Sequence, residues 1–71
     1  MQDNECILVV DDDADFLHII SRILEKKGLR VDTAASGEAA MARLEERFYY
    51  VVILDISLPD VDGRLISRMT T

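Results

Sequence analysis

Seven aspartates fall into two tight groups, Asp11, Asp12, Asp13 and Asp15 in one and Asp55, Asp60 and Asp62 in the other. Carboxylates packed together repel one another unless a cation sits among them. A hard divalent cation with oxygen ligands, most simply Mg²⁺, resolves that conflict. Two of the acidic positions follow directly on apolar runs. Val10 leads into Asp11-Asp12, and Leu54 leads into Asp55. If both runs are strands of one open parallel sheet, they end at the edge where such sheets bind ligands.

The elements that would position these groups are readable. Cys6-Ile7-Leu8-Val9-Val10 is a continuous apolar run, as expected of a strand buried on both faces. Phe16, Ile19, Ile20, Ile23 and Leu24 follow at helical spacing, with Asp13 as N-cap, Lys26 and Lys27 in the last turn and Gly28 past the end. Leu29 to Ala34 reads as a second, shorter strand. Ser36-Gly37 opens a helix with Ala40, Met41 and Leu44 on one face, ending near Arg47. Tyr50 to Leu54 is the third strand, residues 56–62 form a loop containing Pro59, and residues 63–69 begin a third helix. Alternation of this kind predicts an α/β fold with a parallel sheet.

Ile7 through Asp13, together with Val52 through Gly63, closely resembles the receiver domain of response regulators. That resemblance covers essentially residues 1–71 as a truncated, N-terminal receiver. It implies a partial flavodoxin-like fold, β-α-β-α-β-(α), with strand order 2-1-3. It also implies roles in two-component phosphorelay signalling. Asp55 is the expected phosphoacceptor, taking a phosphoryl group from a histidine kinase or a small phosphodonor. Asp12 would ligate Mg²⁺ directly, Asp11 through water, and the backbone carbonyl of Ser57 would add an oxygen. Pro59 would fix the loop and Gly63 would permit the turn that follows. The chain is expected to be a phosphoprotein rather than an enzyme in its own right.

Plainer roles suit the other candidates. Asp13 and Asp15 are expected to cap the first helix, and Asp60 and Asp62 to be solvated turn residues. His18, Arg22, Lys26, Arg43 and Arg47 are expected on solvated helix faces, and the Tyr49-Tyr50 pair to pack at the entry to the third strand. Composition narrows the remaining classes. The 71 residues are 49% hydrophobic and 31% charged, as in a soluble globular protein. The apolar runs fall far short of the roughly 20 residues that span a membrane. A net charge of -6 argues against a nucleic-acid surface. The acidic N-terminus shows no signal peptide, and a lone Cys6 fits a reducing cytoplasm.

The resemblance also shows what these residues lack. Receivers carry a Ser or Thr after a fourth strand and a Lys after a fifth, and no lysine follows Lys27 here. Phosphorylation at Asp55 is therefore expected to be impaired. The third strand, Tyr50 to Leu54, carries no charge or proline and would lie at a sheet edge, the profile of an edge that recruits another strand. That predicts a homodimer through this strand, with part of Phe16, Leu17, Ile20 and Leu24 left bare on the first helix. The alternative function is a non-catalytic interaction module retaining the half-fold. A phosphatase with an Asp11-x-Asp13 nucleophile motif is disfavoured by the Asp55 to Gly63 segment.

Overall fold

Each apolar run becomes a strand of one sheet. The structure is a computed structural model that describes residues 6–55. The elements are β1 (Cys6–Val10), α1 (Ala14–Lys26), β2 (Arg30–Ala34), α2 (Gly37–Glu46) and β3 (Val51–Leu54). β1 is central and pairs in parallel with both neighbours, giving the order β2-β1-β3. The expected loop at residues 56–62 and the helix over 63–69, with Pro59, Asp60, Asp62 and Gly63, lie outside the described residues.

β1 lacks polar alternation because both of its faces are covered. Leu8 and Val10 point into one cluster with Ala34 and Ala40, against which Met41, Leu44, Tyr49, Val52 and Leu54 pack. Ile7 and Val9 point the other way, into a cluster with Leu17, Ile20, Leu24, Leu29 and Val31. Leu8 and Val9 are fully buried. α2 therefore covers one face of the sheet and α1 the other. The half-buried strands β2 and β3 flank this hydrophobic spine.

The helix ends follow from local chemistry. Asp13 has extended backbone, and its Oδ1 accepts from the N–H groups of Asp15 at 3.0 Å and Phe16 at 3.2 Å. These are the donors that a helix start leaves unpartnered. Gly28 adopts φ +87°, and the N–H of Leu29 returns to the carbonyl of Leu24 at 3.3 Å. A side chain at Gly28 would strain that left-handed turn. Ser36 caps α2 by accepting from Ala39 N–H at 3.1 Å.

Several expectations need correction. β2 starts at Arg30 rather than Leu29, and β3 at Val51 rather than Tyr50. The buried stripe of α1 is Leu17, Ile20 and Leu24, whereas Phe16, Ile19 and Ile23 are exposed. Leu17, Ile20 and Leu24 are thus the covered face and not the bare one. Both sets have helical spacing, so periodicity alone could not choose between them. Tyr49 packs on the core, but Tyr50 is 72% exposed. Arg43 is not simply solvated: its Nε donates to the Thr33 carbonyl at 3.2 Å and ties α2 to β2.

The cap on α1 gives a direct prediction. Asp13→Ala should lower unfolding free energy by about 1 kcal/mol, seen as a reduced urea midpoint with an unchanged slope.

Candidate metal centre

Two parallel pairings fix the acidic edge. Val10 sits beside Leu54 in register, so the residues that follow them emerge together. The Asp55 N–H donates to the Val10 carbonyl at 3.0 Å, and the Asp11 N–H donates to the Ala34 carbonyl at 3.1 Å. Asp11 is thus anchored to β2, and Asp55 to β1. Asp11 Oδ1 accepts from the Asp13 N–H at 3.0 Å, which shapes the turn into α1. Asp13 and Asp15 serve the helix start, as expected.

Asp11, Asp12 and Asp55 each offer a carboxylate oxygen, and these atoms all lie within 4.8 Å of one another. Asp11 and Asp55 are half-buried and Asp12 is exposed. Octahedral Mg²⁺ at about 2.1 Å from each oxygen sets its ligands about 3.0 to 4.2 Å apart. Oxygens that all lie within 4.8 Å of one another are close to that spacing. The donors are all oxygens, which suits a hard divalent ion over a soft metal. The residues present therefore fit Mg²⁺. Ser57, the remaining expected ligand, lies outside the described residues.

A family model for the response regulator receiver domain matches residues 7–70. The chain belongs to this family. A receiver segment similar to it occurs in the hybrid signal transduction histidine kinase L of Dictyostelium discoideum, 38% identical over 87% of this chain and 4% of that protein. The transcriptional regulatory protein TcrA of Mycobacterium tuberculosis is 40% identical over 80% of this chain and 22% of its own length. The Vibrio cholerae chemotaxis protein CheY4 has a solved structure that matches with a TM-score of 0.78 and 29% identity. That match covers 92% of this chain and 60% of the other. This receiver chain therefore spans a minor part of the curated relatives it matches. Its sheet order and flanking helices are those of the flavodoxin-like fold. Among the described residues no helix is long and apolar enough to cross a membrane.

At the opposite end of the receiver sheet lies a polar cluster that the sequence reading missed. The Tyr49 hydroxyl donates to Asp32 Oδ2 at 2.6 Å. Arg47 Nε lies 3.8 Å from the same carboxylate oxygen, and its Nη1 is 3.9 Å from the buried Cys6 Sγ. These contacts tie β2, the end of α2 and the start of β3 to β1. The Arg47 pair is partly exposed, so solvent screens it. Contact with Cys6 and then the charge of Asp32 raise the Arg47 pKa. Burial, then the hydrogen bond to Asp32, push the Tyr49 phenol well above its ordinary 10.0. The only sequence signal for this cluster was an acid inside the β2 run, and spacing could not name its partners.

The Tyr49 shift carries a sign. The folded phenol keeps its proton at a pH where the unfolded one loses it, so stability is complete below about pH 10 and falls as pH rises beyond it. Tyr49→Phe should remove that component. Thermal melts between pH 9 and pH 11 should show a shallower alkaline loss in the variant than in the parent.

Proposed function

We propose that this receiver accepts a phosphoryl group on Asp55, with Mg²⁺ held by Asp11, Asp12 and Asp55. The observation that carries this reading is the gathering of those carboxylates within 4.8 Å at the shared end of β1 and β3. An Asp55 carboxylate oxygen attacks phosphorus. The bond from phosphorus to the donor nitrogen or oxygen breaks, and its electron pair leaves with the donor group. The product is an acyl phosphate on Asp55. Bound Mg²⁺ would neutralise charge on the transferring group, the main need of a loose transition state. Anchoring of Asp55 N–H to Val10 and of Asp11 N–H to Ala34 keeps nucleophile and ligands in register before any donor arrives.

The donor is a phosphohistidine of a histidine kinase or a small acyl phosphate. The relative named as a hybrid histidine kinase supports the first. We place this activity in the cytoplasm, in keeping with the free, buried thiol of Cys6.

Incubation with acetyl phosphate and Mg²⁺ should add one phosphoryl group, read by intact mass and lost on mild alkaline treatment. Asp55→Asn and chelation of Mg²⁺ should each abolish the gain. Asp12→Asn should slow it at least tenfold at limiting Mg²⁺, an order-of-magnitude expectation for loss of a metal ligand. A gain that persists in Asp55→Asn, or none in the folded parent chain, would overturn the assignment.

A further inference from the structure

β2 is the outer strand of the flavodoxin-like order 2-1-3-4-5, in which further strands add beyond the third and none beyond the second. Its pairing with β1 fixes which of its main-chain groups turn outward. The Asp11 N–H donates to the Ala34 carbonyl at 3.1 Å, so the main chain of Ala34 faces inward. Main-chain groups alternate sides along a strand, which turns Arg30 and Asp32 inward and Val31 and Thr33 outward. No strand pairs with the outward groups among the described residues. Instead Arg43 of α2 reaches the edge, and its Nε donates to the outward Thr33 carbonyl at 3.2 Å.

A row of unpaired N–H and C=O groups invites another strand, and natural sheets blunt such edges with charge, proline, a bulge or a covering group. β2 has no proline, and its register with β1 runs without a bulge. Val31 and Thr33 are strand-forming residues. The α1 side of the edge is uncovered, because Thr33 lines an open groove there with His18, Ser21 and Arg22. Arg43 is half-buried and comes from the other side.

We infer that Arg43 locks the outer edge of β2 against pairing with a second copy of this chain. An added strand would run about 4.8 Å from β2 and set an N–H nitrogen about 2.9 Å from the Thr33 carbonyl oxygen. The Arg43 Nε already stands in that place, at 3.2 Å. Pairing has to displace it and give up a charge-assisted hydrogen bond. A guanidinium trapped in the interface instead loses its water without gaining a partner. Arginine suits this task, because its Nε donor belongs to a rigid planar fork that stays charged. The lock lies on the edge away from β3, and Asp55 need not react for it to act.

Arg43→Met keeps an unbranched side chain of similar reach and removes the guanidinium. Amide hydrogen exchange, read by NMR at low and at high chain concentration, tests the lock at the edge itself. In the parent, the outward amides of Val31 and Thr33 should exchange equally fast at both concentrations. In Arg43→Met they should slow roughly tenfold at the higher one, as amides do on entering a strand pairing. Sedimentation should then show larger species than the parent forms, with an unchanged far-ultraviolet circular dichroism spectrum in dilute solution. Arg43→Ala, with the best helix former, takes the place of a Met variant that fails to fold, and the same results decide. A folded variant whose two amides exchange as fast at high concentration as at low overturns the inference. So does association that protects other amides and leaves these two open, or concentration-dependent protection of Val31 and Thr33 in the parent.

Discussion

Parallel pairing of β3 with β1 is the constraint on which the site depends. Residues beside one another in a parallel ladder point to the same face and finish at the same edge. Val10 beside Leu54 therefore delivers Asp11, Asp12 and Asp55 to one place, although forty residues of chain separate the two strands. A slip of one residue would send Val52 and Leu54 to the α1 face and turn Asp55 away from its neighbours. The site is assembled when the central strand finds its second partner.

What holds that pairing in place is a pair of small cores back to back. Among the described residues β1 is the only strand buried along its whole length, and its alternate residues feed both clusters. On the α2 side, Val52 and Leu54 of β3 join the core, so this face ties β3 to the rest. The α1 side of β3 contributes little because Val51 and Ile53 are half open. The Asp32–Tyr49–Arg47 cluster strengthens the same tie from the far end of the sheet. A chain of this size has little stability to spare, so one well-formed polar tie is a material share of it.

Much of this was legible in the sequence, for definite reasons. Cys6 to Val10 lacks alternation because both faces are covered. Asp13 and Gly28 mark helix ends because their chemistry suits few other places. Asp11 and Asp55 were recognisable because each follows directly on a strand, and Asp12 because it adjoins Asp11. Legibility failed where two patterns were equally regular. Leu17-Ile20-Leu24 and Phe16-Ile19-Ile23 have the same helical spacing, and only packing on β2 and β1 selects the first. It failed again where partners are remote. Nothing near Asp32 in the chain announces Tyr49 or Arg47, which reach it only after α2 has folded back.

The gathered carboxylates and the cation they would share can be probed directly. Substoichiometric Mn²⁺, added to isotopically labelled chain, broadens amide resonances close to where it binds. The account predicts broadening confined to the amides around Asp11, Asp12 and Asp55, reversed by excess Mg²⁺ and lost in Asp12→Asn. Broadening centred elsewhere, or unchanged by that substitution, would contradict it.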